Sequence, residues 1–302
     1  MKREEIINKI ESLKIKKNAI ILAHNYQLGE VQDAADFLGD SLDLSRKAAE
    51  LKEDIILFCG VRFMAETAAI LSPKKTVLIP DGNAGCPLAD WITASQLKEW
   101  KKRYPGRKVV CYVNSSTEVK AECDVCCTSA NALKVVDSID EKEILFVPDK
   151  NLASYVASQT EKKIIPWNGY CYVHDNIRAE HINEKKALHA RAEIWVHPEC
   201  RPEVISLADR VFSTGQMIRE AKKTKKKEII IGTETGIIYR LSKENPGKKF
   251  YPAKDTAICS DMKKINLEKI LESLEEMKFK VEVPFEIAQG ARRALERMVK
   301  ID

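Results

Sequence analysis

One pattern recurs three times along the 302 residues and constrains the fold more than any other. An apolar run ending in proline leads through a short polar loop to a single cysteine. Thr76-Val77-Leu78-Ile79-Pro80 leads to Cys86, Lys163-Ile164-Ile165-Pro166 to Cys171, and Lys249-Phe250-Tyr251-Pro252 to Cys259. The spacing is nearly constant. A fixed period of this length means one supersecondary unit copied and assembled with its neighbours.

The stretches between the cysteines repeat as well. An apolar strand, Asn18 to Ala23, ends at His24-Asn25-Tyr26-Gln27. Its counterparts, Lys108 to Val113 and Glu193 to Val196, end at Asn114-Ser115-Ser116 and His197-Pro198-Glu199-Cys200. Asp36 and Ser41, Asp124 and Ser129, and Asp209 and Thr214 are each five apart and fill one slot. Strands alternating with helices at this spacing predict parallel sheets covered on both faces. The expected fold is α/β: three Rossmann-like αβα domains related by a pseudo-threefold axis. They span residues 1–86, 87–171 and 172–266. A short strand at Lys278–Val283 follows, and a C-terminal helix, 284–302, is expected to pack on the first domain. The first helix of the third domain should close on Ala208-Asp209. Ligands of such sheets sit beyond the carboxyl ends of the strands. The polar strand endings all lie there, so the three loop faces should enclose one central cleft.

Composition narrows the function. Hydrophobic residues make up 44% and charged residues 31%, as in a soluble globular protein. Lys+Arg 50 against Asp+Glu 45 leaves only +5. The one basic run, Lys222 to Lys227, reads as a solvated helix end, so no nucleic-acid partner is expected. The charged N-terminus carries no signal core, and no apolar run approaches a membrane span. The expectation is a cytoplasmic protein without a membrane partner. Nine cysteines in a reducing compartment then mean metal, catalysis or burial rather than disulfides.

Three equivalent cysteines around a threefold axis form a triangle. A cubane iron–sulfur cluster has such an axis through each iron, so three thiolates bind three irons and leave the fourth open as a Lewis acid. Zinc with three thiolates and water competes with this reading, as do three buried free thiols. Cys123-x-x-Cys126-Cys127 looks like a metal motif, but Cys126 and Cys127 fall in a repeat strand and read as buried. Cys59 and Cys111 also lie in strand runs. Cys171-x-x-His174 lacks the second pair that a zinc motif needs. His24 and His197 sit at matching strand ends beside Tyr26 and Glu199, a setting for acid–base work. His181 and His189 lie in a charged helical stretch and read as solvated. Ser41, Ser129, Ser213 and Thr214 begin helices on the same side. Their hydroxyls suit a phosphate or carboxylate, or merely cap the helices.

These residues carry a family resemblance. The motifs are Ala23-His24-Asn25-Tyr26, Gly39-Asp40-Ser41-Leu42, Tyr112-Val113-Asn114-Ser115, Thr128-Ser129-Ala130-Asn131, His197-Pro198-Glu199-Cys200 and Ser213-Thr214-Gly215-Gln216-Met217. With the three spaced cysteines, they resemble the A-type quinolinate synthases of NAD biosynthesis over nearly the whole chain. The resemblance implies three αβα domains around a central cleft, with a [4Fe–4S] cluster on Cys86, Cys171 and Cys259. It implies a transferase that condenses iminoaspartate with dihydroxyacetone phosphate to quinolinate, losing phosphate and two waters. Implied substrate contacts are His24, Ser41, Tyr112, Asn114, Ser129, His197, Glu199 and Thr214, with Tyr26, His174 and Ser213 nearby. Glu199, His197 and Tyr26 are the implied acid–base groups. The implied partners are the two small molecules and, transiently, the enzyme that supplies iminoaspartate. Two other functions share the inventory: a cluster-dependent dehydratase of a small hydroxy acid, and a non-catalytic cluster-binding sensor. Cys200 is the nearest further thiol that could close the cluster's open iron.

Overall fold

The computed structural model describes residues 2–301. They form three four-stranded parallel sheets flanked by helices. The first sheet contains β1 (Ala19–His24), β2 (Phe37–Gly39), β3 (Ile55–Cys59) and β4 (Thr76–Leu78). The second contains β5 (Lys108–Tyr112), β6 (Val125–Cys127), β7 (Glu143–Val147) and β8 (Lys163–Pro166). The third contains β9 (Glu193–Val196), β10 (Arg210–Val211), β11 (Glu228–Gly232) and β12 (Lys249–Pro252). Their orders are β2-β1-β3-β4, β6-β5-β7-β8 and β10-β9-β11-β12, one topology used three times. Every residue of β1 and β3 is buried. Such near-continuous apolar runs belong to parallel strands covered on both faces. In each sheet the order reverses between the first and third strands, and a ligand crevice opens at the carboxyl ends of that pair.

The aspartates of the shared slot set the register of each unit. Asp36 Oδ2 accepts the Ile21 N–H, Asp124 Oδ2 the Val109 N–H, and Asp209 Oδ2 the Ile194 N–H, each at 2.8 Å. Each aspartate also returns its own N–H to the carbonyl of the same residue, at 2.9, 3.1 and 2.9 Å. Counting forward equally from these anchors makes His24, Tyr112 and His197 equivalent, and likewise Tyr26, Asn114 and Glu199. Asp124→Ala or Asp209→Ala leaves a strand N–H without its charged acceptor. Each should lower stability by about 1–3 kcal/mol, read as a smaller urea midpoint of the metal-free protein.

The structure differs from the sequence reading in three places. Segment 278–283 makes one isolated antiparallel bridge, Leu78 with Lys280, rather than a strand. It still lies along the β4 edge: the Ile79 N–H donates to the Phe279 carbonyl at 3.0 Å, and the Val281 N–H to the Val77 carbonyl at 2.8 Å. The C-terminal helix, Phe285–Lys300, packs on the first unit and reaches the second as well. Arg292 donates to the Ile70 carbonyl, and Arg297 to that of Asp124 at 2.8 Å. Asn131 donates to the Met298 carbonyl at 3.1 Å, and a Cβ at Gly290 would stand 2.9 Å from Ala121 Cβ. The helix expected to close on Ala208-Asp209 is only Pro202–Ile205. His189 is only half-buried yet stacks on Tyr251, with centroids 3.6 Å apart. Cys59, Cys111, Cys126 and Cys127 are wholly buried core residues. No helix among the described residues is long and apolar enough to cross a membrane.

Candidate active site

The carboxyl ends of the three sheets meet in one cavity. First strands bring His24 and Tyr26, Tyr112 and Asn114, and His197 and Glu199. Second strands bring Ser41, Ser129 and Thr214, and the loops after the fourth strands bring Cys86, Cys171 and Cys259. His174 comes from the helical turn after Cys171. Contacts between units run in cyclic order. Asn25 of the first donates to Thr214 Oγ1 of the third at 3.0 Å, and His197 of the third reaches Ser129 Oγ of the second at 3.1 Å.

Ser213 is the predicted residue that does not line the cavity. It is fully buried and caps the helix Thr214–Lys223, accepting the Gln216 N–H at 3.3 Å. Its hydroxyl donates to Asp40 Oδ2 at 3.0 Å. Asp40 also takes the Gly215 N–H at 3.3 Å. A Cβ on Gly215 would stand 2.5 Å from that oxygen, so glycine lets the carboxylate dock on the helix end. Thr214, one residue on, does face the cavity.

The cavity histidines are neutral. Burial depresses His24 to about 4, and His174 and His197 to about 3. Nδ1 of His24 accepts the Tyr26 N–H at 3.2 Å, and Nδ1 of His197 accepts the Glu199 N–H at 3.3 Å. These bonds assign the ring proton to Nε2 in both. Glu199 Oε2 lies 3.2 Å from Nδ1 of His197 and 3.2 Å from Nδ1 of His174. Burial pushes the Glu199 carboxyl above the usual range, while His174 beside it and a hydrogen bond from Tyr112 oppose the shift. A protonated Oε2 can donate to His197 Nδ1, and an ionised one can accept from His174. From His174 the chain continues. Nε2 meets Thr233 Oγ1 at 2.7 Å, and Thr233 Oγ1 meets the Tyr26 hydroxyl at 2.5 Å. Glu199 and Tyr26 are thus joined by a proton path through one imidazole and one hydroxyl.

The thiols form the other half of the site. Each precedes a helical turn, Ala89–Trp91, Tyr172–Asp175 or Met262–Lys264. In each turn the backbone N–H of the third residue on (Ala89, His174 or Met262) lies near the cysteine sulfur and lowers the thiol's proton affinity. Such amides favour a thiolate. Burial acts the other way and pushes all three thiols up. Charge on Cys259 adds to the rise of Cys86, and charge on Cys86 to that of Cys171. Three thiols lining one cavity, each raised by burial and two of them also by a neighbouring cysteine, suit a cation held among them. Asn114 Oδ1 and Glu199 Oε1, both buried, have no hydrogen-bond partner. Cys200 is fully buried, donates to the Gly232 carbonyl at 3.3 Å and does not line the cavity.

The sequence profile described as quinolinate synthetase A protein (NadA) matches residues 8–300. This chain belongs to the quinolinate synthetase A family. It is 57% identical over 301 residues to the quinolinate synthase of Dehalococcoides mccartyi strain CBDB1, covering 100% of both chains. The quinolinate synthase of Methanoregula boonei is 54% identical over 299 residues, covering 99% of this chain and 98% of the relative. That of Thermodesulfovibrio yellowstonii is 53% identical over 296 residues, covering 98% of each. Family members of this name are enzymes, and the cavity described above is this member's candidate active site.

Four polar residues of the site escaped the sequence reading. Asp40 and Glu234 line the cavity, Thr233 joins His174 to Tyr26, and Asp149 accepts the Cys171 N–H at 3.1 Å. A usable signal existed for three of them. Thr233, Glu234 and Asp149 lie just past the ends of third strands β7 and β11, and the repeat register was carried only through the first, second and fourth strands.

Proposed function

We propose that this chain is an iron–sulfur-dependent quinolinate synthase. It joins iminoaspartate to dihydroxyacetone phosphate and releases quinolinate, phosphate and two waters. The observation that carries the reading is the meeting of three repeat-equivalent thiols with His174, His197 and Glu199 in one cavity. Cys86, Cys171 and Cys259 hold the [4Fe–4S] cluster. When bound, it supplies an open iron as a Lewis acid.

The chain's own residues do the rest. Ser41, Ser129 and Thr214 receive the phosphate through their hydroxyls. Ser41 and Thr214 also open ten-residue helices, but Asp40 already accepts the Leu42, Asp43 and Gly215 N–H groups there, so the hydroxyls rather than the helix amides meet the phosphate. No lysine or arginine lines the cavity among the described residues, so neutral donors carry this task. His24, Tyr112 and Asn114 orient the dicarboxylate. Glu199 removes the proton that enolises the three-carbon substrate and returns a proton to a departing hydroxyl. His174 and Thr233 pass protons between Glu199 and Tyr26. Burial of these groups keeps water from the imine.

A second reading has one observation behind it. Cys171, His174 and Glu199 offer three ligand atoms within 4.8 Å of one another, a set that zinc could take. One experiment separates the readings. The protein is purified without oxygen, its metal and sulfide are counted, and the same sample is assayed with both substrates. About four irons and four sulfides per chain are expected, with quinolinate formed. Zinc in place of iron, or dehydration of a malate-like acid without quinolinate, overturns the proposal.

A further inference from the structure

The three cysteine loops share their turn but not their support. The Cys171 N–H bonds Asp149 Oδ2 at 3.1 Å, and the Cys259 N–H bonds Glu234 Oε1 at 3.2 Å. The two acids are equivalent in the repeat, each the second residue after its third strand ends at Val147 or Gly232. Both have no solvent exposure. Each uses both oxygens on donors. Asp149 Oδ1 takes the Leu152 N–H at 2.7 Å. Glu234 Oε2 takes the Gly236 N–H at 2.7 Å, and Oε1 also faces Lys263 Nζ at 2.9 Å.

The first unit breaks the pattern. Its third strand ends at Cys59, so the equivalent residue is Val61, which has no acceptor. Its loop is braced from elsewhere. Asp81 accepts the Asn83 N–H at 2.8 Å and pairs with Lys269 at 2.5 Å, while Lys264 donates to the Asn83 carbonyl at 2.7 Å. Lys264 and Lys269 come from the segment that follows Cys259.

We propose that Asp149 and Glu234 are positioning residues for the cluster, each fixing the backbone of one ligand, Cys171 or Cys259, through a buried two-acceptor carboxylate. The inference rests on the cluster reading above. It makes a specific claim about chemistry rather than size. An amide of the same shape cannot replace either acid, because its NH2 must face a backbone N–H or an ammonium that needs an acceptor. Groups that orient metal ligands typically change metal affinity by about 10–100-fold when lost.

Asp149→Asn and Glu234→Gln test this against wild type, all reconstituted with iron and sulfide without oxygen. Three quantities are read: iron per chain, the rate of iron release to a chelator, and the electron paramagnetic resonance spectrum of the reduced cluster. Release should be about tenfold faster or more in each variant, with a shifted spectrum. Asp209→Ala is the control, since Asp209 anchors Ile194 from the surface and does not line the cavity, and it should release iron at the wild-type rate. If a variant fails to fold, Asp149→Glu or Glu234→Asp replaces it. Each keeps two acceptors at the wrong reach, and the same acceleration is expected. Wild-type release rates and spectra in the folded variants overturn the proposal, as does equal acceleration in Asp209→Ala. Wild-type protein that binds no iron overturns the cluster reading instead, and this inference with it.

Discussion

Changing Cys86, Cys171 or Cys259 to serine, one at a time, should leave folded protein without the proposed iron–sulfur cluster. The expected loss is close to complete. The three sulfurs are the only thiols among the described residues that line the cavity, and each sits just ahead of its own helical turn. A serine hydroxyl stays protonated near neutral pH and is a poor ligand for iron, so each change removes one corner of the triangle. The same substitution at Cys126 or Cys127 should keep the full iron and sulfide content, because both are sealed in β6. Iron and sulfide counts with the visible absorption of each variant decide the matter. Full cluster content in any of the first three, or cluster loss in either of the last two, refutes the ligand set.

Glu199→Gln should keep the cluster and the binding of dihydroxyacetone phosphate, yet lose turnover by about 10²–10⁴-fold. The side chain sits between two imidazoles, with Oε2 3.2 Å from each Nδ1. Glutamine reproduces the shape and the donor of the protonated carboxyl, so packing and the bond to His197 survive. It cannot accept a proton from substrate, nor pass one to His174. The raised proton affinity of the buried carboxyl brings it nearer to working pH, where an acid–base group is most effective. Steady-state rates on cluster-matched samples give the result. Near-native turnover would remove Glu199 from the proton transfers and leave Tyr26 or His197 as the base.

Much of the fold was legible because a repeat is one-dimensional information. Three strand–proline–cysteine passages and three Asp–Ser/Thr slots set a register that local sequence alone carries. The sheets follow it, with Asp36, Asp124 and Asp209 holding the equivalent strand residues at 2.8 Å. The ten-residue helix after Ser213 was legible too, although its cap decided something that the pattern did not. Ser213 and Thr214 are adjacent hydroxyls at one helix end. The backbone turn there points the first inward to Asp40 and leaves the second on the cavity.

By itself the sequence determined the α/β units, their internal register and the placing of three cysteines at equivalent loops. Each of these depends on residues close together in the chain. Only the tertiary structure decided which groups act as pairs, because the partners come from different units. Tyr26 meets Thr233 across 207 positions, and His197 meets Ser129 across 68. It also decided where the C-terminal helix docks, which no repeat register predicts. And it decided the protonation of the site. Burial lowers His24 to about 4 and His174 and His197 to about 3, so the closed cavity keeps all three neutral well below the pH at which a free imidazole takes up its proton.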